Sequence, residues 1–553
     1  MPGAGNGFSI TPRAARSQLA PELSCAFREI TVSASISVAA RTVRNIVEAV
    51  IVSLQGLYSV PRGSVPVPCC IWTQGVLFLG HPPLCISRFG HNVASVATPC
   101  TAQRPLSSPS VTDSKPSLLR VLGVAFGVAI LVGNTISVGI LRTPGEIAAA
   151  LPSTPWFLGV WIAGGLYAML GALTLAELAV MIPQSGGNYV FARRAMGEYP
   201  GFLIGWTDWL SCSAAVAASA IAFGEVVARS VPGLGVPQSV ISVLAVLLFT
   251  AIQWPGVKQS DRSQQLLSVV KVAALLTVAI AGISSTGAMS GPSTAPAALP
   301  TGMAFATALI VVFQSVLYTY DGWNGVTYFG GEISDPGKQI PRAMAYGVLA
   351  VVVVYLGLNV AFVHVLGIHG LAGAKFAASD AAQVMFGTRG EQIVQVVTAI
   401  SALGGINAIL MLTSRIPYAM ARDGLLPRAV ARVNVGGTPV GALAVSSLVC
   451  IGLILSGSFN TVLALAAFFY VLQYAVNFSA VFILRRSEPE TLRPYRAWGY
   501  PVVPAIVLIG AIAFLIGSFK GDYENTMRSV AVIAISVPVY LVARRLLRGS
   551  PTT

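Results

Sequence analysis

Gly133-Asn134-Thr135-Ile136-Ser137-Val138-Gly139-Ile140 and Tyr318-Thr319-Tyr320-Asp321-Gly322-Trp323-Asn324-Gly325 each interrupt a long apolar stretch with glycine and polar residues. The two interruptions fall at corresponding places in the two halves of the apolar part of the chain. Inside a bilayer, an unpaired amide or carbonyl facing lipid costs several kcal/mol, so unwound backbone has to line protein or a water-filled cavity. A matched pair of interrupted spans points to a secondary transporter whose site lies near the membrane midplane, between two structural repeats.

Composition supports the membrane reading. Charged residues make up 10% of the 553 and hydrophobic residues 55%, and mean hydropathy is +0.75, against about 25% charged in a soluble domain. Runs of roughly 20 apolar residues, enough to cross about 30 Å of hydrocarbon, recur from Leu118 onward. About twelve are expected, which makes an all-α polytopic membrane protein. They run Leu118 to Leu151, Trp156 to Ile182, Phe202 to Ala228, Val236 to Trp254, Gln265 to Ser285, Met303 to Gly331, Ala343 to Leu366, Ile393 to Arg415, Gly441 to Leu455, Thr461 to Leu484, Tyr500 to Phe519 and Met527 to Leu546.

Basic residues collect in alternate loops: Arg193 and Arg194, Lys258 and Arg262, Lys338 and Arg342, Arg415 through Arg432, and Arg485 through Arg496. Under the positive-inside rule these loops are cytoplasmic, and both termini fall on the same side. The net charge of +14 is therefore mainly a topology signal, and no nucleic-acid partner is expected.

Residues 1–115 differ in kind. They are rich in Ser, Pro, Arg and Val, lack helical periodicity, and hold five of the seven cysteines. No apolar run follows the first residues as a signal peptide requires, and paired Cys and His spacing for a metal is absent. The segment is expected to be a disordered extension or an untranslated one. No Met occurs between Met1 and Met169, so a shorter product would start at a non-AUG codon, for instance at Val111.

Ionisable residues within membrane spans are costly, so each one is informative. Lys271 either snorkels to the cytoplasmic interface or reaches inward to the carbonyls of the first break, in the place of a coupling cation. Glu177 and Asp208 either pair within the bundle or carry function. Asp321 sits in the second break, where its carboxylate meets a substrate ammonium, takes up a proton, or caps freed amides. Tyr318, Tyr320 and Trp323 beside it wall a side-chain pocket or simply pack. The amides of Val138, Gly139 and Ile140 start the outer half-helix, and a helix N-terminus suits a carboxylate. Arg142 and Glu146, at i and i+4, form a pair or guard the outer mouth. Arg415, read as the end of the eighth span, is a cytoplasmic anchor or gate.

The order of these motifs resembles the amino acid-polyamine-organocation superfamily, and within it the bacterial relatives of the L-type transporters and serine-threonine exchangers. Ser137-Val138-Gly139-Ile140-Leu141 is similar to the family's Gly-Ser-Gly-Ile-Phe signature, and the second break to its aromatic-x-Tyr-x-Gly-Trp element. Also similar are Ala176-Glu177-Leu178, Ile182 through Gly187, Gly331-Glu332-Ile333, Tyr418 through Gly424 and Arg493 through Pro501. The resemblance implies a permease domain over 116–548 with a leucine-transporter-type fold. Broken helices one and six would lie in inverted five-helix repeats over about 118–286 and 303–485, followed by extra helices over about 500–546.

It further implies sodium-independent transport of amino acids, by exchange or proton symport and without a cofactor, at the cell membrane. Neutral substrates are expected, with cationic amino acids or polyamines the alternative. Lys271 matches the lysine that stands where sodium sits in coupled relatives. The substrate carboxylate would lie on Val138, Gly139 and Ile140, and its amine near the carbonyls of Thr135, Ile136 and Tyr318 to Tyr320. Val138 replaces the usual Ser, removing a hydroxyl from that pocket.

A channel would need polar or charged rings, and an enzyme a cluster of catalytic groups; neither is visible, with four His in all. Outside the N-terminal segment only Cys212 and Cys450 remain, and both read as intramembrane. No disulfide-linked glycoprotein partner is therefore expected.

Overall fold

The computed structural model describes residues 118–548 apart from 138, 231–234, 286–297, 457–458 and 522. The N-terminal segment and Val138 thus lie outside the described residues. Among those described, every regular element is helical. In chain order they are α1 (Val124–Thr135), α2 (Gly139–Ala150), α3 (Thr154–Met181), α4 (Asn188–Met196), α5 (Glu198–Ser230), α6 (Gln238–Gln253), α7 (Val257–Ser284) and α8 (Gly302–Thr319). After a short 3-10 turn over Gly325–Tyr328 come α9 (Pro336–Leu371), α10 (Ala377–Phe386), α11 (Gly390–Arg422), α12 (Val440–Leu455), α13 (Phe459–Ser487), α14 (Val502–Gly521) and α15 (Tyr523–Arg548).

Eight of the described helices are long and apolar enough to cross a membrane, or nine with α1 and α2 taken as one bent span. Three more apolar helices are shorter, at α6, α12 and α14. Their outward faces carry Ile162, Leu166, Leu244, Leu248, Leu266, Val269 and Ile280, all exposed, as lipid contact demands. The inward faces hold small residues where backbones approach closely. A methyl group on Gly127 would lie 2.5 Å from the Cβ of Ala343, and one on Gly165 would lie 2.7 Å from Val352.

Helix boundaries follow local chemistry. Pro155 and Pro336 sit in the first turns of α3 and α9, where a missing amide costs nothing. In the second apolar interruption, α8 stops at Thr319 and the chain continues through turns and the 3-10 turn rather than as α-helix to Gly331. Gly322 accounts for part of this. Its φ of +106° is in the left-handed region, and a side chain there would strike Asn134 at 2.9 Å.

One end of the bundle is clasped by ion pairs. Glu177 on α3 holds Arg485 at 2.6 Å and Arg493 at 3.3 Å, and accepts from the Ala497 amide at 2.7 Å. The Arg485 guanidinium also lies 3.8 Å from the centre of the Tyr500 ring. Nearby, Arg194 donates to Glu488 through two bonds of 2.8 and 3.0 Å. These bonds hold the Glu488 carboxyl below its usual range.

Candidate functional site

The first break opens because α1 ends at Thr135 and Ile136 turns to extended backbone (φ −76°, ψ 102°). The chain re-enters helix at Gly139 with a bend of 51°. The amides that open α2 have no acceptor within the helix. Ser137 beside them is exposed, whereas Thr135, Ile136 and Ile140 are buried. Gly139 faces Thr319 of α8: an added methyl would sit 3.5 Å from its Cγ2, an ordinary contact.

Lys271 lies wholly inside the bundle and does not snorkel. Its ammonium donates to the carbonyls of Gly133 at 3.2 Å and Ile136 at 2.8 Å. Gly404 on α11 leaves room for it, since a methyl there would stand 2.9 Å from the lysine Cε. A polar ladder continues along the same side of α1. Ser268 donates to the Ala129 carbonyl at 2.7 Å and Gln264 to the same oxygen at 3.1 Å. Asn407 donates to Gln264 at 2.8 Å, and Gln253 to Asn407 at 2.9 Å.

The two breaks meet. Asn134 Nδ2 donates to the Gly322 carbonyl at 3.0 Å. The Tyr355 hydroxyl, from α9, lies 2.9 Å from the Thr135 carbonyl and 3.0 Å from the Thr319 carbonyl. It thereby joins the last residues of α1 and α8. Sequence reasoning passed over Tyr355 and Gln264 and gave Asn134 no partner, because a lone polar group in an apolar helix gives no sign of what it meets across the fold.

Asp321 and the aromatic residues lie on the other flank of the second break. A pocket there is lined by Tyr167, Tyr318, Asp321, Trp323, Tyr470 and Tyr474 among others, from α3, α8, the second break, α13 and α14. None of the described first-break residues lines it. Tyr474 donates to the Asp321 carboxylate and its ring stacks on Trp323 at 4.8 Å. Tyr320 also lines the pocket, and its hydroxyl donates to the Trp161 carbonyl at 3.2 Å. The structure therefore brings Gly139 and Thr319 together, and puts Asp321 and Trp323 in a pocket that none of the described first-break residues lines.

Arg142 and Glu146 form a pair at 3.7 Å on an exposed face. Arg415 departs from its expected place. It lies two turns before the end of α11, only 2% exposed, and binds Glu332 at 2.8 Å. Its burial in an ion pair argues against an exposed anchor and leaves the gate. Its guanidinium also stacks 4.8 Å from the Phe329 ring centre and donates to the Met411 carbonyl. Neither the burial nor the Glu332 partner could be read from a basic residue near a span end.

The amino acid permease family model matches residues 117–542. The chain belongs to the amino acid permease family. This permease is 28% identical to the serine/threonine exchanger SteT of Bacillus subtilis over 76% of its own length and 96% of the relative's. It is 27% identical to the mouse b(0,+)-type amino acid transporter 1, over 74% and 84% of the two chains. With the human large neutral amino acids transporter small subunit 2 it shares 29% identity, over 77% and 81%. Family and helices together make the permease a multi-pass membrane transporter of amino acids, not an enzyme.

Proposed function

We infer that this permease is a sodium-independent secondary transporter of neutral L-amino acids in the cell membrane, working by exchange or proton symport. The observation that carries the reading is the Lys271 ammonium on the Gly133 and Ile136 carbonyls. A fixed cation already satisfies the oxygens that an unwound helix would offer to a metal ion. The substrate carboxylate lies on the amides of Val138, Gly139 and Ile140, favoured by the helix N-terminus. The amine takes the remaining lone pairs of the carbonyls at Thr135 and around Tyr318 to Tyr320; Tyr355 occupies only part of the acceptor capacity of Thr135, because a carbonyl accepts twice.

Counting α6, α12 and α14 as spans brings the apolar helices to twelve, which supports two inverted repeats of five and two further helices. In this reading the permease domain covers 116–548, residues 1–115 are an appended segment, and both termini are cytoplasmic. Neutral substrates are favoured because the Asp321 carboxylate is bonded to Tyr474 and belongs to a pocket apart from the carboxylate cradle. The serine/threonine exchanger and the large neutral amino acids transporter among its relatives point the same way.

The test is counterflow in proteoliposomes. Vesicles preloaded with unlabelled L-serine or L-leucine should take up the labelled amino acid in a saturable manner, equally with and without sodium. Uptake that requires sodium would defeat the lysine-for-sodium assignment, and a rate that never saturates would favour a channel.

A further inference from the structure

Among the described residues three acidic side chains are fully buried: Glu177, Asp208 and Glu332. Arginines neutralise two of them, Arg485 and Arg493 for Glu177 and Arg415 for Glu332. Asp208, on α5, has neutral donors instead. The Tyr328 hydroxyl lies 2.9 Å from both of its oxygens and the Cys212 thiol lies at 3.6 Å. The side-chain amide of Gln473 also reaches Oδ1 at 3.2 Å with its nitrogen turned inward. An ionised carboxylate kept dry without a cation costs several kcal/mol, and a proton removes that cost. An unpaired acid at membrane depth is accordingly a mark of an ion or proton pathway.

Asp208 is also wired to the part of the chain that a transport cycle has to move. Tyr328 closes the 3-10 turn after the second break. Asn188 of α4 donates to the Tyr328 oxygen at 2.8 Å, and Asn324 donates to Asn188 at 3.3 Å. An ionised Asp208 accepts the Tyr328 proton through either oxygen; a neutral acid accepts it more weakly and has a proton of its own to place.

We propose that Asp208 is a proton-binding site that couples amino acid movement to a proton. Its carboxylate takes one proton from the outer aqueous side to become the neutral acid. The Tyr328 bond then weakens and the 3-10 segment is freed from α5, and the proton leaves to the other side. No electrons are exchanged.

The ionisable groups facing Asp208 are consistent with this. They are Tyr328 from the 3-10 turn, Cys212 on its own helix, Tyr470 and Tyr474 from α13, and Asp321 from the second break. Asp321 is likewise an acid, hydrogen-bonded to Tyr474. Of the other helices packed on α5, α11 brings Arg415 and Arg422, bound to Glu332 and Asp423. Helix α12 brings the buried Cys450, α15 brings Tyr540, bonded to Glu198, and α4 brings Tyr189, Arg193 and Arg194, bound to Asp423 and Glu488.

The proposal rests on the transport reading, and two measurements separate them. In proteoliposomes, L-serine and L-leucine counterflow without a pH gradient reports transport alone. An inward gradient of one pH unit should then drive accumulation of up to about tenfold in the wild type. Asp208→Asn should keep counterflow and lose the accumulation, and Asp208→Glu should restore it. Wild-type uptake indifferent to the gradient, or Asp208→Asn driven as strongly as wild type, overturns the proposal.

Infrared difference spectra of the purified protein between acid and alkaline buffer decide the matter even if neither amino acid is carried. The carbonyl band of a buried carboxylic acid should appear in the wild type and be missing from Asp208→Asn; identical spectra overturn the proposal. If Asp208→Asn does not fold, Tyr328→Phe takes its place and should move the pH midpoint of that band, and an unmoved midpoint counts as refutation.

Discussion

The two breaks solve one problem in opposite ways. At the first, α-helix resumes within a few residues, and the freed carbonyls are caught from outside by Lys271 and Tyr355. The amides at the head of α2 have no acceptor within the helix. At the second, α-helix does not resume before α9, and most of the backbone bonds are local, Asp321 to Tyr318 at 3.2 Å, Gly325 to Gly322 at 3.1 Å and Thr327 to Asn324 at 2.9 Å, with Tyr355 and Asn134 adding one each from outside. What it offers is side chains. In the proposed function the first break meets the carboxylate that all amino acids share, and the side chains of the second lie nearest to what distinguishes them.

The largest expected effect breaks the first half of this contrast. A leucine at Gly139 fills the space in front of the α2 amides, removing two charge-assisted hydrogen bonds worth about 1.5 to 3 kcal/mol each. Substrate-induced thermal shift should then vanish in Gly139→Leu, an affinity loss of about 100-fold or more. Gly139→Ala should fold normally, because its methyl meets Thr319 at an ordinary 3.5 Å. Wild-type affinity in the leucine variant would remove the cradle from the account.

Lys271→Ala comes next. It leaves the Gly133 and Ile136 carbonyls without their donor in a dry interior, at roughly 1 to 3 kcal/mol each. The protein should still fold, with a lowered melting temperature and turnover reduced about tenfold or more, while binding falls less. Full turnover in Lys271→Ala would reduce the amine to a packing group.

Tyr355→Phe tests whether the two breaks act together. Its hydroxyl joins the ends of α1 and α8, and its loss should cost about 1 kcal/mol for each bond. If the junction transmits motion, turnover should fall several-fold while equilibrium affinity holds. A drop in stability with unchanged turnover would mean that the breaks move independently.

The positions of most helices and of the first break were legible in the sequence because each depends on local rules: apolar length, glycine, and a polar interruption. The second break was legible as a place but not as a shape. A run such as Trp323 to Gly331 does not reveal that Gly322 adopts a left-handed conformation against Asn134. Partner choice was hidden throughout. Lys271 could snorkel or turn inward on sequence grounds alone, and Gly404, which makes room for it, lies more than a hundred residues away. Arg415 looked like an interface residue because its partner, Glu332, comes from a turn 83 residues earlier in the chain.

The smallest expected effect concerns the side-chain half of the contrast. Asp321 accepts from Tyr474 in an aromatic pocket, so an asparagine there keeps one acceptor and loses the charge. If the second break reads substrate charge, Asp321→Asn should lose arginine and lysine selectively, because an ion pair at an effective dielectric of about 20 contributes several kcal/mol. If the carboxylate serves the break itself, the loss should be only several-fold and even across an alanine, serine, threonine and leucine set and an arginine and lysine set. We expect the even loss, since Tyr474 already engages the carboxylate and none of the described first-break residues lines its pocket. A selective loss of the cationic pair would make the second break a charge reader and move the permease to cationic substrates.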